Sequence, residues 1–141
     1  MFKKILLPTD GSEHADKTIQ QAIDLAKLTG AELLVMYAYN TPFMPRRRGA
    51  IAVEELKSSL EEEAKEIISE VAARVQAAGI SVSALAVEGS PAEAILRMVE
   101  AEQPDLIVMG SRGDGGLPGL RLGSVADRVV RHSPVAVLVI K

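Results

Sequence analysis

The stretch Asp105-Leu-Ile-Val-Met-Gly-Ser-Arg-Gly113 decides the fold of this chain. It is almost wholly apolar up to Gly110, and a strand keeps no polar alternation when both of its faces are buried. Strands of this kind lie at the centre of parallel sheets that are covered by helices on both faces. The stretch therefore predicts a central parallel strand, followed by a glycine-rich loop at its carboxyl end.

Short apolar runs alternate with segments of helical period on both sides of this strand, which is the pattern of stacked βα units. We count five strands and four helices. The predicted strands are residues 3–8, 33–39, 80–88, 105–110 and 135–140. The first helix is expected to have Ser12 as its N-cap and to end at Gly30, and the third opens with a capping box, Ser90-Pro91-Ala92-Glu93. The long second helix follows residue 50 and shows an apolar face of Leu56, Leu60, Ala64, Ile67, Val71, Val75 and Ala78. The pattern predicts one α/β domain over residues 1–141.

Composition narrows the functions that this chain can have. Of its 141 residues, 48% are hydrophobic and none is Cys, which excludes thiolate catalysis and Cys-ligated zinc. The formal net charge of −3 argues against nucleic-acid binding, which needs a basic face. No apolar stretch approaches the length of a membrane span, so we expect no membrane partner and a cytoplasmic location. The basic run Arg46-Arg47-Arg48 is interpreted as a solvated loop, with a gate for anions as the alternative.

The segment from Gly110 to Ser124 is the part of the sequence that indicates chemistry. Glycines let several backbone N–H groups approach one phosphate, and a helix beginning near Ser124 adds unpaired N–H groups and the positive end of its dipole. The segment has no Lys, which excludes a P-loop, and Pro118 stands where a dinucleotide fingerprint needs its third glycine. The spacing that is present is G-x2-G-x9-G-S, at Gly110, Gly113, Gly123 and Ser124. It predicts an anion cradle, with a surface loop that binds nothing as the alternative.

A second polar turn, Pro8-Thr9-Asp10-Gly11, ends the first strand. Ligands of open parallel sheets bind beyond the carboxyl ends of the strands, where the winding direction reverses. If the first and fourth strands are neighbours, this turn and the glycine-rich loop flank one crevice. We favour a nucleotide contact for Asp10 over capping of the first helix. Arg112 is left open between a phosphate contact and an ion pair with Asp114.

The G-x2-G-x9-G-S spacing resembles that of the ATP-binding branch of the universal stress protein family. The resemblance covers almost the whole chain, through residues 4–12, 87–91, 105–113 and 122–134. It implies an open five-stranded parallel sheet of order 3-2-1-4-5 with helices on both faces, a Rossmann-like, adenine nucleotide alpha hydrolase-like α/β fold. That order would place the first and fourth strands side by side.

The resemblance also implies the ligand and its pocket. The cofactor would be ATP, or AMP or ADP, with Mg²⁺ or Mn²⁺ bridging the phosphates. Asp10 would reach a ribose hydroxyl or a metal-bound phosphate, and Ala38 would offer backbone groups to the adenine edge. The residues assigned to the pocket are Pro8, Thr9, Asp10, Ala38, Met109, Gly110, Arg112, Gly113, Gly123, Ser124 and Val125.

The leading functional hypothesis is an ATP-binding stress-response module that changes its partner or oligomeric state when the crevice is filled. The alternatives are a slow ATPase or phosphoryl or nucleotidyl transferase, and a structural dimer that binds no nucleotide. No catalytic residue is assigned, because no nucleophile and base form a recognisable pair. The last strand, Val135 to Ile140, is an apolar edge without protecting charges, so we expect two copies to pair across it as an antiparallel homodimer.

Overall fold

The computed structural model describes residues 1–41, 49–112 and 122–141. The strands are β1 (Lys4–Thr9), β2 (Glu32–Tyr39), β3 (Val82–Glu88), β4 (Leu106–Gly110) and β5 (Ala136–Ile140). The helices are α1 (Ala15–Thr29), α2 (Gly49–Ala77), α3 (Pro91–Glu102) and α4 (Ser124–His132). The predicted strands and helices are all present in the described ranges, with strand bounds shifted by one or two residues.

The strands form a single parallel sheet of order β3-β2-β1-β4-β5, which confirms the fold that the sequence predicts. β1 pairs with β2 on one side and β4 on the other, so that Ile5 lies opposite Leu33 and Leu106. Strands β2 and β3 lie on one side of β1, and β4 and β5 on the other. The winding direction therefore reverses between β1 and β4, and this is where open parallel sheets bind ligands.

Helices cover both faces of the sheet and give it two cores. One core joins α1 and α2 to the first face, and the other joins α3 and α4 to the second. Strand β4 contributes to both: Leu106 and Val108 belong to the first core, and Ile107 and Met109 to the second. The unbroken apolar run of β4 thus reflects burial on both faces, as its sequence predicts.

One expected helix start is wrong, and another is confirmed without its side-chain cap. Helix α1 begins at Ala15 rather than after Ser12, because Asp10 accepts hydrogen bonds from both the hydroxyl and the N–H of Ser12. Helix α3 begins at Pro91 as expected, but the Ser90 hydroxyl bonds to Glu93 Oε2 at 3.2 Å and makes no cap bond to the backbone. Each serine is held by a nearby carboxylate instead of a helix amide.

In the ranges that the structure describes, no helix combines the length and the apolar character that a membrane span needs.

Candidate functional site

The turn after β1 and the carboxyl end of β4 lie at the same edge of the sheet. The two strands are parallel neighbours in register, with Ile5 opposite Leu106 and Leu6 opposite Ile107. The condition for the crevice expected from the sequence, that the first and fourth strands are neighbours, is therefore met. We take this edge, at the reversal of winding, as the candidate site.

The turn after β1 is held by its own side chains. Thr9 Oγ1 accepts a hydrogen bond from the Gly11 N–H at 3.3 Å. Asp10 Oδ1 accepts from the Ser12 N–H at 2.9 Å and from the Ser12 hydroxyl at 2.5 Å. Asp10 is exposed, and its Oδ2 bonds to none of the described residues. One carboxylate oxygen thus shapes the turn, while the hydrogen bonds of the turn leave the other unused.

The N-terminus of α4 is fixed at the end of β4 by two backbone hydrogen bonds. The Ser111 N–H donates to Ile140 O at 2.8 Å, and the Gly123 N–H donates to Ser111 O at 2.6 Å. We call this pair of bonds the loop stem. The first bond within α4 runs from the Asp127 N–H to Gly123 O at 2.9 Å, so the amides of its first turn have no partner within the helix.

The loop stem changes the role that Gly123 can play. Because its N–H is donated to Ser111, the nearest open amides at the start of α4 are those of Ser124 and Val125. Ser124 is also exposed, and Val125 is half-buried against the second core. An anion at this edge would meet these two N–H groups and the Ser124 hydroxyl, with the positive end of the helix dipole behind them.

Gly110 faces α1 rather than α4. A Cβ built on Gly110 would lie 3.4 Å from Thr18 Oγ1 and 3.4 Å from Arg112 O. Thr18 is only 4% exposed, so its side chain is buried between α1 and the end of β4. Sequence reasoning missed Thr18, because a single Thr on the buried side of a helix leaves no periodic signal. Met109, the preceding residue, points to the opposite face and is buried in the second core.

The ends of β2 and β3 continue the same edge of the sheet on the other side of β1. Ala38 lies opposite Val87 and is half-buried on the α3 side of the sheet. The Gly89 N–H donates to Tyr39 O at 2.8 Å and joins the two strand ends. Just beyond β2, the hydroxyl oxygen of Thr41 is buried and has no hydrogen-bond partner among the described residues. A buried orphan hydroxyl near the predicted base site is a second feature that the sequence did not reveal.

Three charged residues meet at the end of β3. Arg97 Nη2 donates to the Glu88 carbonyl at 2.8 Å, and Lys57 Nζ lies 3.3 Å from Glu88 Oε2. The hydrogen bond and the negative charge of Glu88 raise the pKa of Lys57 above its ordinary value. Helix α2 is thereby tied to the end of β3, although exposed pairs of this kind contribute little stability.

Some of the residues singled out in the sequence fall beyond the described ranges. Gly113, together with Asp114 and the run Arg46-Arg47-Arg48, lies outside the described residues. Arg112 is half-buried at the start of the loop, and its proposed pairing with Asp114 is left open for the same reason. Among the side chains that are described, no three His, Cys, Asp or Glu residues are grouped as a metal site.

Comparison with known proteins shows the family and agrees with the fold. A model of the universal stress protein family matches residues 1–141. A universal stress protein of Thermus aquaticus is 40% identical over 142 residues, which cover 100% of both chains. The solved structure of protein MJ0577 from Methanocaldococcus jannaschii is 34% identical with a TM-score of 0.86, covering 100% of this chain and 96% of that one. A solved universal stress protein in complex with cAMP is 26% identical with a TM-score of 0.71, covering 99% of this chain and 96% of that one.

Proposed function

The chain belongs to the universal stress protein family, and from this premise we propose that it binds an adenine nucleotide, ATP in the first place, between β1 and β4. The loop stem is the observation that carries the proposal, because it holds the first turn of α4 at the end of β4, the strand next to the one that the Asp10 turn follows. A polar group for a ribose and a set of amides for phosphates then share one edge of the sheet. The similar universal stress protein in complex with cAMP supports the adenine nucleotide as the ligand class.

Each end of the nucleotide has its own set of residues in this proposal. Asp10 Oδ2 accepts a hydrogen bond from a ribose hydroxyl, and the backbone of Ala38 meets the adenine edge. Ser124 and Val125 hold the phosphates through their N–H groups, with the Ser124 hydroxyl as a further donor. The remaining residues of the pocket are Pro8, Thr9, Met109, Gly110, Arg112, Gly113 and Gly123.

A metal ion would enter with the nucleotide rather than before it. Mg²⁺ keeps several waters and binds proteins through one or two carboxylates together with substrate phosphates. Asp10 is exposed at this edge, and one of its oxygens is already engaged with Ser12. The residues at the site therefore suit Mg²⁺ or Mn²⁺ held mainly by phosphate oxygens, with Asp10 as a single protein contact.

We further propose that the protein acts as a homodimer whose assembly or partner choice responds to the nucleotide. Strand β5 lies at the edge of the sheet and pairs with β4 alone. Its Leu138 is 40% exposed, and such an apolar edge favours pairing with another strand. The end of β5 is also joined to the loop stem, because Ile140 O accepts the Ser111 N–H. A change at the phosphate site therefore has a direct path to this edge. A cytoplasmic location stays a prediction.

Calorimetry with ATP and Mg²⁺, and with adenosine, tests the phosphate site. We expect Ser124→Ala to weaken ATP binding about tenfold, because it removes a hydroxyl donor to a charged group. Adenosine binding is expected to stay unchanged, since adenosine has no phosphate. Ser69→Ala, at another exposed serine on α2, is the matched control.

Two results would contradict this proposal at different levels. A wild-type protein that binds no adenine nucleotide overturns the proposed function. A wild-type protein that binds ATP, with Ser124→Ala binding equally well, overturns the assignment of the phosphates to α4.

A further inference from the structure

The turn that carries Asp10 is supported by a side chain of α2 that does not belong to the main core. Gly11, the next residue, has φ +75°, a conformation that L side chains rarely adopt. A Cβ built on Gly11 would lie 3.0 Å from Ile67 Cδ1 and 3.5 Å from Ile67 Cγ2. The Ile67 side chain therefore packs directly on the outer face of the turn.

Ile67 and its neighbour Ile68 have different surroundings although their side chains are identical. Ile68 is 6% exposed and belongs to the first core, together with Val71 and Val75 of the same helix. Ile67 is half-buried and lies outside that cluster. The contact with Gly11 thus gives Ile67 a place in the structure that core packing does not explain.

The hydrogen bonds inside the Asp10 turn fix its shape but not its position, so the contact with Ile67 is still needed. Thr9 and Asp10 bond to the N–H groups of Gly11 and Ser12, which sets the shape of the turn. These bonds lie within the turn, so they do not set its tilt relative to the sheet edge. Helix α2 is itself anchored nearby, since Arg74 Nη1 donates to Asp16 Oδ1 of α1 at 3.1 Å. Ile67 can therefore transmit a fixed position from α2 to the turn.

We infer that Ile67 is a positioning residue that holds the Asp10 turn in its binding geometry. The inference rests on the proposed function, because Asp10 is the group whose position matters. Binding groups must be held within about 0.5 Å of their productive geometry by neighbouring side chains. Loss of the Ile67 side chain should then weaken nucleotide binding without the loss of stability that a core truncation causes.

The adjacent pair Ile67 and Ile68 provides a matched test. We expect Ile67→Ala to raise the Kd for both ATP and adenosine roughly tenfold, since Asp10 contacts the ribose that both share. Ile68→Ala should lower the melting temperature by roughly 5–10 °C and leave the Kd for both ligands unchanged. Ile67→Val, which keeps most of the contact with Gly11, should restore most of the affinity. If Ile68→Ala does not fold, Ile68→Val serves in its place.

A double-mutant cycle shows whether Ile67 acts by positioning Asp10 or by stabilising the site in general. If Ile67 acts through Asp10, Ile67→Ala should add almost nothing to the affinity lost in Asp10→Ala. Additive losses, or an unchanged Kd in Ile67→Ala while the wild type binds ATP, overturn the inference alone. A wild-type protein that binds no adenine nucleotide overturns the inference together with the proposed function.

Discussion

Gly110 could be a glycine because a side chain would clash with its neighbours or because a ligand needs the space. The atoms around it help to separate these two reasons. A methyl group at this position would meet Thr18 Oγ1 and Arg112 O at ordinary contact distances of 3.4 Å. Its direction is toward α1, away from the helix that is proposed to hold the phosphates. The described residues therefore have room for Ala at this position, but the extra methyl groups of Val would press on α1.

This geometry predicts different outcomes for two substitutions at one residue. Gly110→Ala should fold and bind ATP within about twofold of the wild type. Gly110→Val should lower the free energy of unfolding by roughly 1–3 kcal/mol through overpacking against Thr18. Urea denaturation and calorimetry measure the two effects separately. Loss of ATP binding in Gly110→Ala at unchanged stability would show that the ligand itself requires the glycine.

Single residues are also where prediction from the sequence fails most clearly. The apolar face predicted for α2 included Ile67, whereas the first core contains Ile68. Both residues are apolar, so helical periodicity alone cannot decide which of them faces the sheet. Ser12 has the chemistry of an N-cap, but a carboxylate two residues earlier competes for it. The first outcome depends on packing that only the folded chain creates, and the second on a competition between two local partners that the sequence pattern does not rank.

At the scale of elements, the glycine after α1 predicted the end of that helix, whereas the serine before it did not predict its start. Helix α1 ends at Gly30, which has φ +76° and donates its N–H to Ala26 O at 2.8 Å. A left-handed residue at this position satisfies a terminal carbonyl, and glycine adopts it at least cost. The signal is strong in the sequence because it depends on the backbone and not on a choice between side-chain partners.

Gly30 allows the free-energy cost of a left-handed backbone conformation to be measured without any steric clash. A Cβ built on Gly30 meets nothing within 4 Å, so Gly30→Ala introduces strain without a clash. We expect it to lower the free energy of unfolding by about 1 kcal/mol, and Gly30→Asn to lower it less. Chemical denaturation gives both values. Equal midpoints for wild type, Ala and Asn would mean that α1 ends by another means.

At the scale of the whole molecule, the sheet has two edges with comparable apolar exposure. Leu138 on β5 is 40% exposed and Leu85 on β3 is 38% exposed. We propose the homodimer across β5, so Leu138→Lys should give a monomer while Leu85→Lys stays dimeric. Val137 is a poorer choice for this test, because it is half-buried against the second core and its replacement also disturbs the fold.

Sedimentation velocity at low micromolar concentration measures the outcome. A charged side chain on an edge strand opposes pairing with a second strand. If Leu85→Lys dissociates the dimer and Leu138→Lys does not, the interface lies on β3 and the proposed path from the loop stem to the partner is wrong.

More of the global architecture than of the side-chain contacts could be predicted from the sequence. The apolar run of β4 and the turn after β1 identified the two strands that border the crevice, because burial and turn chemistry are both local to the sequence. The order of the five strands followed from the family resemblance, since hydrophobic alternation does not say which strands are neighbours. The contacts of Ile67 with Gly11 and of Thr18 with Gly110 join distant segments, so neither the local sequence pattern nor the family resemblance predicted them.

The loop stem has a consequence for how this protein can change over evolutionary time. Its two backbone hydrogen bonds involve no side chains, so they impose little restriction on the sequence between residues 112 and 122. Loop-closure entropy grows slowly, by roughly 0.6 kcal/mol for each doubling of loop length. Insertions and exchanges there are therefore expected to leave the stability of the sheet and of α4 largely unchanged. The length and composition of this segment can then diverge between related chains while the fold is kept.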